Sequence, residues 1–337
     1  MRTWNGYQRG INLGGWISQC PYKEEHYERF ITEEDIKKIA EWGLDHIRLP
    51  IDYEVIDGVE STNDCHGIRY VDRCVEWCKK YNLNLILDLH KVPGYAFYDG
   101  DKNNLFGNAP MEERFIAIWE AIAKRYEYRK DHIAFELLNE IVEESSERWN
   151  QLAHRTIQAI RRIAPTTKIL IGGIQWNSAK TLRLLEKPQD ENIVFNFHFY
   201  EPFLFTHQSA SWVDQMPTVH IEYPGTLKEY QETSQRLGMY GSGLYEDGIT
   251  SLGTEYLSNL MREAVEAADV YDAYLYCGEY GAISKAPSES IVKWFQDMRE
   301  AFDAYGIGRA AWSYKSMSFG ISDEYGDEVT AEVVKCL

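Results

Sequence analysis

Residues 84–140 carry the pattern that decides the fold: NLILDLH at 84–90 and HIAFELLNE at 132–140, separated by PMEERFIAIWEAIAKRY at 110–126. The two outer stretches are short and almost continuously apolar, as in strands that are covered on both faces. The middle stretch repeats apolar residues at helical spacing, on the face formed by Phe115, Ile118, Trp119 and Ile122. A strand, a helix and a second strand of this kind predict one parallel β-α-β unit.

The same alternation runs through the whole chain. Six further strands are predicted at 10–16, 44–50, 168–173, 193–200, 275–281 and 309–315, and helices at 69–81, 146–163, 254–268 and 288–305. Thr32 is predicted to cap another helix, which ends at Gly43. Eight such units predict an α/β fold, a (β/α)8 TIM barrel in which residues 1–337 form one domain. A doubly wound sheet has the same alternation, but the eight units and the missing dinucleotide fingerprint favour the barrel.

One segment departs from this rhythm, residues 201–253 after the sixth predicted strand. It begins with Phe203, Phe205 and Trp212 and is rich in glycine further on. Long loops in a compact domain are usually functional or disordered. Because this insertion leaves the barrel where a strand ends, we expect a lid or cleft wall; the alternative is a plug that only covers the barrel edge.

The charge balance excludes some classes of partner. There are 35 basic and 53 acidic residues, a formal net charge of −18, which repels nucleic acid and anionic membranes. No apolar run approaches the roughly 20 residues of a membrane span, and the N-terminus lacks the apolar core of a signal peptide. We therefore expect no nucleic-acid or membrane partner and a monomer, with secreted and cytoplasmic locations both open.

Motifs for metals and cofactors are incomplete. Among the six cysteines, Cys74 and Cys78 share a helical face, but no second Cys/His pair lies at zinc spacing, so buried thiols are favoured. The calcium-like start at Asp99 fails because Asn104 occupies the glycine position. The glycines of 241–246 do not complete a dinucleotide loop. We predict neither a metal nor a cofactor.

Polar residues gather where the predicted strands end, which is where barrels place their chemistry. They are Arg48, His90, Asn139, Glu140, His198, Tyr200, Glu279 and Trp312. Glu140 and Glu279 follow from strands four and seven, nearly opposite each other across the barrel. Two carboxylates that flank a bond are what glycoside hydrolysis needs, whereas a metal site would need a third carboxylate or further ligands.

Several of these strings resemble glycoside hydrolase family 5, the cellulase family. They are FELLNE (135–140), HFY (198–200), CGEYG (277–281) and AWSYK (311–315), together with INLGGW (11–16), HIRLP (46–50) and DLH (88–90). The resemblance spans nearly the whole chain in the family's order. ERWNQL (147–152) and YEPFLFTHQ (200–208) resemble in particular the clostridial endoglucanases of the C type.

The resemblance implies a role for each matching residue. Glu140 would be the general acid/base, Asn139 would hold the sugar 2-hydroxyl, and Glu279 would be the nucleophile. The remaining matches would surround them: Arg48 and Tyr200 beside Glu279, His90 and His198 along the reacting sugar, and Trp312 as its aromatic floor. Five more residues are candidate subsite walls by position alone, with core packing as the alternative: Trp16, Gln175, Trp176, Phe205 and Trp212.

These residues predict a retaining endo-β-1,4-glucanase that acts on a β-glucan, with the two carboxyl groups about 5–5.5 Å apart. A β-mannanase, or an exo-acting β-glucosidase or β-1,3-glucanase, could use the same site. A catalytically inactive carbohydrate-binding barrel is the alternative outside enzymes. The paired carboxylates oppose it, because a binding protein gains nothing from two neighbouring buried charges.

Overall fold

A computed structural model describes residues 1–59, 67–214, 216, 218–237 and 248–337. Eight parallel strands pair in chain order, and β1 also pairs with β8, which closes the barrel. The predicted (β/α)8 TIM barrel is confirmed. The strands are β1 (Arg9–Asn12), β2 (His46–Asp52), β3 (Asn84–Lys91), β4 (Ile133–Glu136), β5 (Ile169–Gly172), β6 (Ile193–Phe199), β7 (Tyr274–Tyr280) and β8 (Gly308–Ala311).

The helices surround the barrel, and those predicted from apolar spacing are present within two residues of their predicted bounds. They are α2 (Glu33–Glu41), α3 (Ile68–Lys80), α4 (Ala109–Tyr126), α5 (Glu147–Arg161), α9 (Thr254–Val270) and α10 (Ser288–Tyr305). Shorter helices were not predicted: α1 (Glu24–Arg29), α6 (Ile174–Asn177), α7 (Phe203–Thr206), α8 (Leu227–Arg236) and α11 (Asp327–Val334). Within the described ranges, no helix has the length and apolar character to cross a bilayer.

Three strands end four residues earlier than predicted. β4 stops at Glu136, where its last pair with β3 is Asp88 with Glu136, and the chain then rises above the barrel. The apolar run misled the prediction because Leu137 and Leu138 are fully buried although they lie outside the strand. Likewise, β1 ends at Asn12 and β8 ends at Ala311, although the predicted strands extended to residues 16 and 315. As a result Asn139, Glu140 and Trp312 lie on loops just beyond strand ends.

The barrel interior changes from apolar to polar along its axis. A cluster of buried residues fills the end where the strands begin: Trp4, Tyr7, Ile86, Ala134, Leu170, Val194, Tyr276 and Ala310. Trp4 and Tyr7 stack with ring centroids 3.9 Å apart. Towards the other end the inward-facing side chains are charged or amide groups, among them Arg48, Glu136 and Asn196. The end where the strands begin is therefore packed mainly with apolar and aromatic side chains, and the cluster around Arg48 lies towards the carboxyl end of the strands.

The insertion 201–253 is attached to the barrel rather than free of it. The Tyr223 backbone N–H donates to Ser290 Oγ over 2.9 Å, and the Tyr223 hydroxyl donates to Asp297 Oδ2 over 2.9 Å, both on α10. An antiparallel β-bridge between Thr226 and Ser251 joins the chain before α8 to the chain after it. The glycines at 238, 241 and 243 lie outside the described residues.

The described cysteines are unpaired thiols. Cys74 and Cys78 lie on the buried face of α3, exposed by at most 1%, as predicted. The hydrogen bond with the neighbouring Cys78 thiol, together with burial, raises the pKa of Cys74 well above its usual range, which keeps this thiol protonated. Cys65 is outside the described residues.

Candidate active site

Two carboxylates and a histidine meet at the mouth of the barrel. His198 Nδ1, from β6, lies 2.9 Å from Glu140 Oε1 and 3.5 Å from Glu279 Oε2. One carboxylate oxygen of Glu140 and one of Glu279 lie within 4.8 Å of each other. The side chains are 12% and 7% exposed, so a ligand in the mouth would reach both. Residues that lie at least 58 positions apart in the sequence therefore share one small site.

Arg48 organises the floor beneath this pair. Its Nη1 donates to Glu279 Oε1 over 2.8 Å, and its Nε and Nη2 donate to the two carboxylate oxygens of Glu136 over 2.7 and 2.8 Å. Nη2 also donates to Asn139 Oδ1 over 2.9 Å and lies 3.0 Å from Asp88 Oδ2. The guanidinium is fully buried, so its planar set of donors fixes the positions of several acidic groups at once.

The two carboxyl groups have unequal surroundings. Burial, together with the negative charge of Glu279, raises the pKa of Glu140 well above its usual range. Burial also raises the pKa of Glu279, but the charge of Arg48 and a hydrogen bond from the Tyr200 hydroxyl act in the opposite direction. That hydroxyl donates to Glu279 Oε2 over 2.9 Å. These surroundings therefore favour the proton on Glu140 and the negative charge on Glu279.

One wall of the mouth is flat and aromatic. The rings of His90 and Trp312 stack with an interplanar angle of 7° and centroids 5.7 Å apart. His90 Nδ1 lies 2.7 Å from Asp88 Oδ2, which orients the imidazole. Burial lowers the pKa of His90 to about 4, so the ring is neutral at working pH. A neutral flat face of this kind suits the apolar face of a sugar ring.

A cleft of about 950 Å³ leads away from the mouth on the Glu140 side. It runs from Phe97 and Tyr98 after β3 past Trp176 after β5 to Trp212 in the insertion. Trp176 and Trp212 are 55% and 54% exposed. Their indole rings are therefore available to a ligand, and residues from the first part of the insertion line this cleft.

Two of the predicted subsite residues are corrected. Trp16 has no exposed surface, stacks on Trp77 with centroids 6.0 Å apart, and donates from Nε1 to the Tyr27 carbonyl over 2.8 Å. Phe205 is also fully buried and packs against Tyr223. Both are core residues. Their position near strand ends was right, but each side chain points into the packed layer rather than into the mouth.

The sequence prediction missed several polar residues of the site. Glu136 and Asp88 are fully buried beside Arg48, and Asn196 Nδ2 donates to Glu136 Oε1 over 2.9 Å. The signal was available, because successive inward-facing residues of a strand are two apart. Asp88 precedes His90 by two, and Asn196 precedes His198 by two. Glu201, which lines the cleft directly after Tyr200, was missed as well.

Glu140, His198 and Glu279 are also the described residues whose potential ligand atoms come close enough to hold a metal ion. However, Arg48 Nη1 already supplies a positive charge 2.8 Å from Glu279 Oε1. A second cation there would be repelled by the guanidinium, whose charge does not titrate away. A site without a metal remains our prediction.

The fold is shared with characterised barrel structures. The endoglucanase Cel5A from the hyperthermophilic Thermotoga maritima superposes with a TM-score of 0.76, covering 98% of this chain and 97% of that chain, at 24% sequence identity. The CcsZ cellulose synthase subunit from Clostridioides difficile superposes with a TM-score of 0.77 at 22% identity, covering 98% and 99%. At these identities the similarity establishes the fold alone.

Sequence similarity establishes the family. Endoglucanase C from Acetivibrio thermocellus is 44% identical over 336 residues, which are 98% of each chain. Cellodextrinase A from Ruminococcus flavefaciens is 40% identical over 306 residues, 90% of this chain and 84% of the relative. The family model for cellulase, glycosyl hydrolase family 5, matches residues 6–318. The paired carboxylates thus lie in a glycoside hydrolase, and the chain belongs to glycosyl hydrolase family 5.

Proposed function

We propose that the protein is a retaining endo-β-1,4-glucanase in which Glu140 is the general acid/base and Glu279 the nucleophile. One observation carries the proposal: carboxylate oxygens of Glu140 and Glu279 approach within 4.8 Å in unequal surroundings. A separation of about 5–5.5 Å allows direct attack by one carboxylate, whereas an inverting enzyme needs roughly 6.5–9.5 Å to admit a water molecule.

In the first step, Glu279 attacks the anomeric carbon while Glu140 gives its proton to the departing glycosidic oxygen. Arg48 and Tyr200 each donate a hydrogen bond to Glu279, so they keep it ionised and hold it in one orientation. The bond from carbon to the leaving oxygen breaks as the ester with Glu279 forms. The part of the sugar chain on the leaving side then departs, and its new hydroxyl group carries the proton from Glu140.

In the second step, Glu140 acts as the base. It removes a proton from water, the water oxygen attacks the anomeric carbon, and the ester bond to Glu279 breaks. Glu140 thereby recovers its proton and Glu279 its charge. Two displacements at one carbon retain the configuration of that carbon.

The cleft beside Glu140 would bind the part of the chain that leaves. Glu140 protonates the leaving oxygen in this mechanism, and the cleft extends from Glu140 past Trp176 and Trp212. Aromatic faces of these two residues would stack on sugar rings, with the insertion 201–253 as the wall that carries Trp212. An extended site of this kind supports cleavage within a chain. The site is complete in one chain, so we expect a monomer to be active.

The substrate assignment follows the relatives that are named endoglucanase and cellodextrinase. It is tested by incubating the protein with carboxymethylcellulose, a linear β-mannan and a β-1,3-glucan, and by sizing the products over time. We expect oligosaccharides of several lengths to appear early from the cellulose derivative. Faster hydrolysis of mannan or of the β-1,3-glucan would contradict the substrate, and early release of a single short product would contradict the endo mode.

The stereochemistry and the nucleophile are tested separately. Proton NMR of a cellopentaose digest should show the β-anomer first, before mutarotation. A cellobioside with fluorine at carbon 2 and an activated leaving group should remain attached to the peptide that contains Glu279. An initial α-anomer, or a label on another residue, would contradict the double-displacement mechanism.

A further inference from the structure

The turn that follows β5 has an unusual backbone. Gln175, Trp176 and Asn177 are consecutive non-glycine residues in the left-handed region, with φ angles of 53°, 57° and 53°. Non-glycine residues seldom adopt this conformation, because it brings Cβ too close to the following carbonyl oxygen. Strain of this kind persists only where surrounding contacts determine the conformation, and it is frequent at functional sites.

Two segments that contribute residues to the mouth, one after Glu140 and one around His198, hold this turn through backbone contacts. The Trp176 backbone N–H donates to the Ile141 carbonyl over 3.0 Å, directly after Glu140. Ser178 forms a parallel bridge with His198. The left-handed turn therefore sits between the proposed acid/base and the histidine beside it, and its shape depends on both.

The turn sends neighbouring side chains in opposite directions. Trp176 points into the cleft and is 55% exposed, whereas Asn177 is fully buried. Asn177 packs against Gly172 so closely that a Cβ at position 172 would lie 2.2 Å from its Oδ1. Asn177 Nδ2 is thereby placed 3.4 Å from Nε2 of His198.

The two nitrogens of His198 have different environments. Nδ1 faces Glu140 at 2.9 Å and Glu279 at 3.5 Å. Burial, with the positive charge of Arg48, lowers the pKa of His198 well below its usual value, so the ring is neutral and carries one N–H. Nδ1 faces carboxyl oxygens of both Glu140 and Glu279, and Glu279 is the proposed carrier of the negative charge, so that hydrogen belongs on Nδ1. Nε2 is then a buried lone pair that needs a donor.

We propose that Asn177 is a positioning residue: its amide N–H donates to Nε2 of His198, which keeps the ring neutral and its single N–H directed at Glu140. The inference rests on the proposed role of Glu140 as acid/base. A hydrogen on Nε2 would point at the amide N–H of Asn177 and be repelled by it. The amide therefore opposes protonation at Nε2. The opposite amide orientation would set Oδ1 against a lone pair.

The consequence concerns the proton on Glu140. A charged imidazolium 2.9 Å from its carboxylate would lower the pKa of Glu140, and the acid would lose its proton too early. The other charged groups that act on Glu140 are Glu279, Arg48, Asp88 and Glu136, and those that act on His198 include Arg48 and His90. At Nε2 the hydrogen-bonding partner is Nδ2 of Asn177, 3.4 Å away.

Asn177→Asp is the test. Aspartate has nearly the same shape and also tolerates the left-handed region, but it accepts where asparagine donates. We expect His198 to become an imidazolium at neutral pH, seen as two ring N–H signals in ¹⁵N NMR. We expect the alkaline limb of kcat/KM on cellopentaose to move down by roughly 1–3 pH units, a loss of tenfold or more at the original limb.

Gln175→Glu is the matched control. It makes the same amide-to-carboxylate change on the same turn, but on an exposed side chain, so the alkaline limb should move far less even if KM changes. An unshifted limb in a folded Asn177→Asp variant would overturn the proposal. Should that variant not fold, ¹⁵N NMR of the unmodified protein decides: hydrogen on Nδ1 supports the proposal and hydrogen on Nε2 overturns it.

The proposed function fails in a different way. If Glu140→Gln kept both its activity on cellopentaose and the alkaline limb, Glu140 would not be the acid/base. The NMR measurement on His198 would be unaffected by that result. The two proposals can therefore be rejected independently.

Discussion

Arg48 Nη1 donates a hydrogen bond to Glu279 Oε1 over 2.8 Å, and the two side chains are 0% and 7% exposed. A carboxylate removed from water is costly unless a charge and hydrogen bonds compensate. The guanidinium supplies both, and it is itself held by Glu136. The ion pair therefore favours the ionised form of this buried carboxylate, as the proposed nucleophile requires.

Replacing Arg48 by lysine should weaken this ion pair while keeping the positive charge. The positive charge at position 48 lowers the pKa of Glu279, and lysine would be a poorer partner than arginine. The pKa of Glu279 should therefore rise, and the acid limb of kcat/KM should move to higher pH. We expect kcat to fall by on the order of 10²–10³, as when one oriented donor is removed from an active site. A pH–rate profile checks both, and an unmoved acid limb would contradict the assigned function of the pair.

Glu140→Ala and Glu279→Ala should differ in their response to the leaving group. Without Glu140, hydrolysis of cellopentaose should fall by about 10²–10⁴, whereas formation of the glycosyl-enzyme from a dinitrophenyl cellobioside needs no acid and should remain fast. Without Glu279, both substrates should react poorly. Stopped-flow release of dinitrophenol separates the two cases. Equal losses in the two variants with both substrates would contradict the division of roles.

Trp176→Ala and Trp212→Ala should impair long substrates selectively. Binding energy from sugars in the cleft is used at the reacting bond, so kcat on cellohexaose should fall and KM should rise, by several-fold in each variant. The rate on an aryl cellobioside should change little. Tyr128→Ala is the control, because Tyr128 is 64% exposed next to the start of β4, at the opposite end of the barrel.

The same variants decide what the insertion does. If the Trp212→Ala variant had a lower melting temperature and hydrolysed short and long substrates equally poorly, the insertion would be a structural plug. A lid or wall requires selective loss on long chains with an unchanged melting temperature.

Glu201→Gln should change how stability depends on pH. Burial raises the pKa of Glu201 to about 7, with only a backbone hydrogen bond from Phe203 and the charge of Lys180 acting against it. A raised pKa means that the folded state holds the proton more tightly, so stability is full below the unfolded value near 4.5 and is lost as pH rises through 7. We expect the variant to melt a few degrees higher at pH 8 and equally at pH 4. A constant difference across that range would count against this titration.

Chelators should leave the rate unchanged. Arg48 already supplies the positive charge next to Glu279, and at the calcium-like loop Lys102 Nζ lies 2.8 Å from Asp99 Oδ2. Activity after dialysis against EDTA checks this. A loss that calcium restores would direct attention to the Asp99 loop, and a loss that zinc restores would direct it to the catalytic mouth.

The sequence by itself determined the architecture and the candidate catalytic pair. Periodicity is a local property: helices such as α4 and α5 bury one face, and a barrel strand is covered on both sides, so each element is legible from its own residues. The resemblance then pointed to Glu140 and Glu279. The inference reached this far because barrels place their chemistry at one end of their strands.

Only the tertiary structure decided which way each side chain points and what it touches. Trp16 and Trp176 are both tryptophans after a strand, yet the first is fully buried and the second is 55% exposed. Asn177 reaches His198 only because three left-handed residues turn it inward beside Gly172. The charge on Glu279 depends on Arg48, 231 positions away in the chain. Direction, burial and electrostatic neighbours are set by packing between distant segments, and no local pattern of residues contains them.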